Sequence, residues 1–248
     1  MPKFMLSLLT VLAAVAMPCM AEEASVAVAA NFSGPAQKVI SAFTAVSGHK
    51  INLIVGSTGK LYAQIKNGAP FHVLLSADDE TPSRLVREGA GVGGSQFTYA
   101  VGRLVLWSKQ PAVVDTKGEV LRSNFDRLAI ADPKLAPYGA AAMETLDTLN
   151  LRSQVQARLV QGESIGQAYQ FVATGNASIG FVALSQVMSE GRLQEGSAWV
   201  VPASFHAPLK QDAVLLQSAK GNVAAQSFLR YLQTDAAKAL IRSFGYES

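Results

Sequence analysis

The chain has 248 residues, with 21 Lys and Arg against 18 Asp and Glu, and a formal net charge of +3. The basic residues are scattered along the chain rather than clustered, which argues against a nucleic-acid-binding surface. The length suits one large domain or two smaller lobes, each with a sizeable core.

The first 21 residues have the layout of a secretory signal peptide. A lysine precedes an apolar run from Phe4 to Met17, and small residues follow as far as Ala21. The run is too short to cross a bilayer, and Pro18 stands before Cys19 where a lipoprotein signal needs a small residue. We therefore expect cleavage after Ala21 and a location in the bacterial periplasm. The mature chain then has no cysteine chemistry.

After this leader, short β-rich runs alternate with helical patterns. We predict strands at 25–30, 50–56, 72–78, 99–109, 127–133, 177–184 and 210–218. We predict helices at 34–48, from about 58, and at 80–89, 139–150, 164–175, 222–233 and 235–245. The alternation predicts parallel α/β sheets, and the repetition of strand, polar turn and helix in both halves indicates two similar lobes. No segment after the leader is long and apolar enough to span a membrane.

The stretch GSTGKLYAQI, residues 56–65, invites two enzyme-like interpretations. A nucleotide-binding Walker A loop fails, because Ile54 and Leu61 occupy positions that require glycine and Ser or Thr. Ser57 and Lys60 fit the S-x-x-K pattern of a serine acylase or β-lactamase, in which the lysine takes the serine proton. The partner motifs of that class are missing, since the nearest matches are SNF at 123–125 and TKG at 116–118. This interpretation stays open as the alternative from another class.

The histidines give no sign of a metal centre. His49, His72 and His206 are isolated, and none has a potential ligand three or four residues further on. With the sole cysteine in the leader, a metal site has few ligands to draw on. We expect neither a bound metal nor a cofactor.

A third interpretation uses the starts of helices, where backbone N–H groups are free and a partial positive charge attracts anions. Asn31, Thr58 and Tyr138 each lie in a turn between a predicted strand and a helix, and Ile165 lies at the start of a fourth helix. In parallel α/β sheets such turns share the ligand-binding edge. Alternatively, Asn31, Ser57 and Thr58 are ordinary helix N-caps, and Tyr138 belongs to turn chemistry after Pro137.

The order of motifs resembles the periplasmic molybdate-binding proteins of bacterial ABC importers over essentially the whole mature chain. The segments that carry the resemblance are AANFSGP, the block from Gly56 to Asp79, YAVGRLVLW, IADPKLAPYG and GNASIGFVALSQV. The resemblance implies a two-lobe periplasmic binding protein of type II-like architecture. Each lobe would be a mainly parallel sheet flanked by helices, and crossover strands would join the two. Lobe I would comprise residues 22–101 and 214–248, and lobe II residues 102–213, with hinge strands near 99–105 and 208–214.

The resemblance also implies a ligand set. The first polar ligand falls on Asn31 and the second on Thr58, with Ser57 beside it as a helper or cap. Backbone N–H donors fall on Tyr138 and Ile165. Some members of the family add a tyrosine hydroxyl where this chain has Ala183, and the hydroxyl of Tyr138 is the available replacement.

The implied function is capture of molybdate or tungstate for a membrane ABC permease by a monomer that is not an enzyme. Molybdenum would enter only as the oxyanion, held by hydrogen bonds without a counter-charge. Sulfate, phosphate and organic anions remain alternatives within the binding class. Lys60 is expected to point along its helix toward solvent.

Overall fold

The structure is a computed structural model that describes residues 21–247. The predicted leader therefore lies outside the described residues, apart from Ala21. Within this part of the chain, no helix combines the length and the apolar character that crossing a membrane requires.

The strands and helices alternate through most of the chain, as the sequence predicts. The strands are β1 (Glu23–Ala29), β2 (Lys50–Gly56), β3 (Val73–Leu75), β4 (Phe97–Gly102), β5 (Leu104–Ser108), β6 (Leu128–Ala131), β7 (Leu159–Gly162), β8 (Ile179–Ala183), β9 (Met188–Ser189), β10 (Arg192–Leu193), β11 (Ser197–Val200) and β12 (Leu209–Leu215). The helices are α1 (Ser33–Ser47), α2 (Thr58–Lys66), α3 (Glu80–Arg87), α4 (Pro137–Thr148), α5 (Arg152–Val155), α6 (Ile165–Ala173), α7 (Leu184–Val187), α8 (Val223–Leu232) and α9 (Asp235–Ser243).

Two five-stranded sheets form the centres of two α/β lobes. The first sheet has the strand order β2-β1-β3-β12-β4, and the second has the order β11-β5-β8-β6-β7. In the first sheet β1 pairs in parallel with β2 and β3, and in the second β6 pairs in parallel with β7 and β8. β12 and β5 are antiparallel to their neighbours, so both sheets are mixed. This is the two-lobe fold that the sequence predicts.

Helix boundaries follow local sequence signals. α1 buries Ala36, Val39 and Phe43 on one face and ends at Gly48, whose φ of 73° is in the left-handed region that glycine tolerates best. The first turns of α8 and α9 are capped by side chains. Asn222 accepts a hydrogen bond from the N–H of Ala225, and Thr234 accepts one from Ala237.

Helices cover both faces of the first sheet. α1, α8 and α9 pack on one face, where Phe43 and Phe228 meet edge to face at 5.3 Å between ring centroids. α2 and α3 pack on the other, and Leu61 and Leu85 contribute to that smaller core. The second sheet has its own core, which includes the fully buried Trp107. Each lobe thus has an independent apolar centre, as separate rigid bodies require.

The chain crosses between the sheets at two adjacent places. The predicted strand at 99–109 is in fact two strands, because β4 ends at Gly102 in the first sheet and β5 begins at Leu104 in the second. The return crossing lies between β11 and β12, and Leu209 pairs directly with Gly102. The sequence analysis did not predict β7 or β11. The bounds of the two lobes stay a prediction.

Gly102 has no room for a side chain. A Cβ atom there would overlap the hydroxyl of Tyr138 and the side-chain amide of Gln211, both of which are buried. The crossover strand and the start of α4 can approach this closely only because residue 102 is glycine.

We therefore expect Gly102→Ala to lower the free energy of unfolding by about 1–3 kcal/mol, the usual cost of overpacking a filled interior. Urea denaturation measures this change. Gly221→Ala is the control, since no atom lies within 4 Å of its added Cβ. Equal stability of the two variants would contradict the tight approach at Gly102.

Candidate functional site

Four junctions between a strand and a helix surround one small cavity between the lobes. Each junction joins the carboxyl end of a strand to the start of a helix. The strands are β1 and β2 in the first sheet and β6 and β7 in the second. The cavity is small and is lined by residues of both lobes. Its lining includes all of the sequence-predicted residues, together with small apolar neighbours: Ala29, Ala30, Asn31, Ser57, Thr58, Ala77, Ala136, Pro137, Tyr138 and Ile165.

Asn31 follows β1 and lies in a single 3-10 turn before α1, with 2% of its surface exposed. Its side chain does not cap α1, because the N-cap residue of that helix is Phe32. The amide nitrogen Nδ2 donates to Gln211 Oε1 at 2.8 Å and to Tyr246 Oη at 2.9 Å. The amide oxygen Oδ1 is buried and has no hydrogen-bond partner among the described residues. Such an orphaned group indicates a site for something other than protein.

Ser57 and Thr58 begin α2 and differ in how their hydroxyls are used. Ser57 is the N-cap residue, yet its side chain makes no capping hydrogen bond, and its buried Oγ has no partner among the described residues. Thr58 Oγ1 accepts the N–H of Ala77 at 3.2 Å. A hydroxyl that accepts one hydrogen bond still has its own proton to donate. Both hydroxyls are thus available as donors, and neither serves as an N-cap.

Tyr138 and Ile165 contribute backbone rather than side-chain groups. Tyr138 is the second residue of α4, after Pro137 at the first position, and Ile165 is the first residue of α6. N–H groups at these positions have no acceptor within their own helix. The side chain of Ser164 caps α6 by accepting from the N–H of Gln167, which leaves the first N–H of the helix for another partner.

The lobes meet around the cavity. The N–H of Gly59 in lobe I donates to the carbonyl of Leu135 in lobe II at 2.9 Å. Ser185 Oγ donates to the Asn31 carbonyl at 2.8 Å from the opposite side. At the outer edge Lys60 pairs with Glu163 at 2.9 Å, where both side chains are half exposed. The structure is therefore a closed form of the two lobes.

A buried polar network lies behind Asn31, and the sequence analysis missed most of it. Gln211, at the centre of β12 and fully buried, donates from Nε2 to Tyr138 Oη at 3.0 Å. Its Oε1 accepts from Tyr99 Oη at 3.1 Å as well as from Asn31. The hydroxyl of Tyr138, which the sequence analysis offered as a replacement donor at the cavity, is engaged in this network. These residues are 73 to 215 positions apart where they bond, so no local motif could reveal them.

All three phenols of the network remain neutral. Burial raises the pKa of Tyr99 and of Tyr138 well above the ordinary value, and it raises the pKa of Tyr246 to about 12. Each phenol therefore keeps the proton that it can donate, and the network adds no negative charge beside the cavity.

The described residues that line the cavity are all uncharged. Asp78 and Asp79 lie in a separate, wider part of the cleft beside Thr58. Within residues 21–247 no group of three or more His, Cys, Asp or Glu is arranged to hold a metal ion. The Lys60 side chain bonds to Glu163 instead of extending into solvent. In this position it does not act as a base toward Ser57. The site can therefore hold an anion by neutral hydrogen-bond donors and by the starts of helices.

Comparisons with known proteins agree with this arrangement. The family model described as bacterial extracellular solute-binding protein matches residues 24–247. The molybdate-binding protein ModA of Azotobacter vinelandii is 53% identical over 227 residues, which cover 91% of this chain and 90% of that protein. ModA of Rhodobacter capsulatus is 50% identical over 231 residues, which cover 93% of this chain and 90% of that protein.

A solved structure extends the agreement to three dimensions. The periplasmic molybdate-binding protein of Azotobacter vinelandii superposes with a TM-score of 0.88 at 39% identity, covering 91% of this chain and 99% of that one. The family model and the two relatives make this two-lobe chain a solute-binding protein rather than an enzyme. More narrowly, the chain belongs to the ModA family of bacterial extracellular solute-binding proteins.

The buried phenols predict how stability changes at high pH. Tyr246 titrates near 10 when unfolded but at about 12 when folded, so between these values the unfolded state has lost a proton that the folded state retains. The free energy of unfolding then falls as pH rises, by at most about 1.4 kcal/mol per pH unit for each such tyrosine. We expect Tyr246→Phe to show a shallower fall between pH 10 and 12 in urea denaturation. Identical slopes for the variant and the parent protein would contradict the raised pKa.

Proposed function

We propose that this protein captures molybdate, or tungstate, in the periplasm and delivers it to a membrane ABC permease as a monomer. The observation that carries the proposal is the uncharged, buried cavity at which Asn31, Ser57, Thr58, Tyr138 and Ile165 converge. The names of the ModA relatives, which describe molybdate-binding proteins, supply the choice of ligand. The predicted signal peptide, at residues 1–21, supports export to the periplasm.

The cavity suits a doubly charged oxyanion that brings no proton. Burial of such an anion is costly, but each charge-assisted hydrogen bond contributes roughly 1.5–3 kcal/mol. The helix starts of α2, α4 and α6 add favourable dipoles. When Asn31 presents its NH₂ group, the five predicted residues supply one donor each, and together these donors offset the loss of hydration. Because the donors belong to rigid helix starts, they also fix the size of the guest.

Size and protonation give the site its selectivity. Molybdate and tungstate have longer bonds to oxygen than sulfate, so sulfate would leave the donors of the two lobes stretched. A phosphate binder that accepts the monoprotonated anion needs an acidic acceptor, and none of the described residues that line the cavity is acidic. We therefore place molybdate and tungstate ahead of sulfate and phosphate.

Closure couples capture to delivery. The bond from Gly59 to Leu135 and the ion pair between Lys60 and Glu163 join the lobes only when they are close together. A guest held by donors of both lobes therefore shifts the population toward this closed form. We propose that the closed form is the one that the permease recognises.

Thermal melting against a panel of sodium molybdate, tungstate, sulfate and phosphate tests the proposal. A ligand that binds only the folded state at 100 times its Kd stabilises it by about 2.7 kcal/mol. This corresponds to a rise in Tm of roughly 5–10 °C for a chain of this size. We expect that rise with molybdate and tungstate and little change with the other two anions. Equal or larger shifts with sulfate or phosphate would reassign the ligand.

Replacement of Ser57 separates ligand binding from folding. Since Ser57 Oγ has no partner among the described residues, Ser57→Ala should leave the stability of the ligand-free protein unchanged or slightly higher. Molybdate affinity measured by calorimetry should fall by about 1–3 kcal/mol, because one donor to a charged guest is lost. Thr58→Ala should reduce both the stability of the ligand-free protein and the molybdate affinity, since Thr58 also bonds to Ala77.

Lys60→Gln is the control for charge in this experiment. The ion pair with Glu163 is half exposed, so its loss should cost no more than about 1 kcal/mol. A greater loss of affinity in Lys60→Gln than in Ser57→Ala would show that the anion depends on a counter-charge, contrary to the proposal.

A further inference from the structure

The orientation of the Asn31 amide conflicts with the guest proposed above. Its NH₂ group bonds to Gln211 and Tyr246, which do not line the cavity, and the buried oxygen Oδ1 is the atom without a partner among the described residues. An oxyanion without protons offers only acceptors, so it needs a donor at this position and is repelled by an amide oxygen. The closed form therefore has Asn31 in the wrong polarity for a fully deprotonated anion.

Gln211 determines which end of the Asn31 amide faces the cavity. The Oε1 atom of Gln211 is 2.8 Å from Asn31 Nδ2. While this oxygen faces Asn31, only the NH₂ group of Asn31 can face it, because two amide oxygens at that distance would repel each other. Gln211 is 0% exposed, so water cannot substitute for the missing donor.

The network has a second arrangement that keeps the hydrogen bonds of the Gln211 amide. Terminal amides have a roughly two-fold torsion, and half a turn exchanges the oxygen with the nitrogen. If Gln211 and Asn31 both turn, Gln211 Nε2 donates to Asn31 Oδ1 and to Tyr99 Oη. Gln211 Oε1 then accepts the proton of Tyr138. The hydroxyl of Tyr99 still has the carbonyl of Ser76 as acceptor, at 2.9 Å.

The remaining groups near Asn31 also fit the second arrangement. Tyr246 Oη is 2.9 Å from Asn31 Nδ2 and at present donates to the Asn31 carbonyl at 3.1 Å. After the turn it can donate instead to the side-chain oxygen that replaces Nδ2. Ser185 Oγ continues to donate to the Asn31 carbonyl at 2.8 Å. A neutral phenol has one proton to donate in each of these bonds. The reversal leaves the NH₂ group of Asn31 as the group that faces the cavity.

We propose that Gln211 is a positioning residue, which in the molybdate-bound protein donates to Asn31 Oδ1 and so makes Asn31 present its NH₂ group to the anion. This inference rests on the proposed function. It makes the polarity of one buried amide a determinant of specificity. A fully deprotonated oxyanion selects the donor arrangement, whereas a protonated guest would be matched by the arrangement with Asn31 Oδ1 facing it.

Side-chain amide NMR of the molybdate-saturated protein tests the polarity directly. The Gln211 Nε2 atom is 3.0 Å from Tyr138 Oη in the present arrangement, while Oε1 is 3.1 Å from Tyr99 Oη. We expect nuclear Overhauser contacts from the Gln211 NH₂ protons to the ring of Tyr99 and to the Asn31 side chain. Contacts to the ring of Tyr138 alone would overturn the proposal.

Gln211→Met tests whether this polarity affects binding. The methionine has a similar volume but provides neither donor nor acceptor, so Asn31 is no longer oriented. We expect molybdate affinity to fall at least tenfold by calorimetry, and unchanged affinity would overturn the proposal. Gln96→Met is a control of the same chemistry, because Gln96 bonds to Ser83 and Asp212 away from the cavity. Absence of molybdate binding to the parent protein would instead remove the proposed function, and this inference with it.

Discussion

An anion can be buried without a counter-charge only where enough neutral donors already point toward it, because the loss of hydration is otherwise too costly. This constraint explains the most distinctive feature of the structure. Helix starts from both lobes meet at one small cavity, and the described residues that line it are uncharged. Donors on helix starts are rigid and need little reorganisation. Asn31, Ser57 and Thr58 belong to one lobe and Tyr138 and Ile165 to the other, so a guest that contacts all of them favours closure.

The polar contacts that join the lobes in the closed form differ in how far they are exposed to solvent. The contact from Ser185 to Asn31 is buried and the bond from Gly59 to Leu135 joins partly buried residues, whereas Lys60 and Glu163 meet at the solvent-exposed edge. The outer pair is screened and weak. The inner contacts therefore define the geometry of closure, and the ion pair contributes little to its free energy.

Local signals in the sequence were sufficient to predict the two-lobe fold and to bring five residues to one cavity. Turns after β1, β2 and β6 could be recognised because hydrophobic runs end there and helical periodicity begins. Gln211 and Tyr246 could not be recognised, because they bond to Asn31 across 180 and 215 residues and belong to no motif. The break between β4 and β5 at Arg103 was also missed, since a continuous apolar run on two strands looks like one strand, although the family resemblance placed a hinge near residues 99–105. The sequence could not separate the N-cap interpretation of Asn31, Ser57 and Thr58 from ligand binding, because the same residue types serve both roles, and the structure shows no side-chain cap at either helix.

The direct pairing of Gly102 with Leu209 has a mechanical consequence. Two connections that lie side by side act as a single pivot, so the lobes should rotate about one axis rather than slide. Tyr138 and Gln211 lie against this pivot and would travel little during opening. Lys60 and Glu163 meet across the exposed edge of the cleft and would separate when the lobes open. An optical reporter of solute capture would therefore give its greatest signal at that outer rim, and almost none beside the axis.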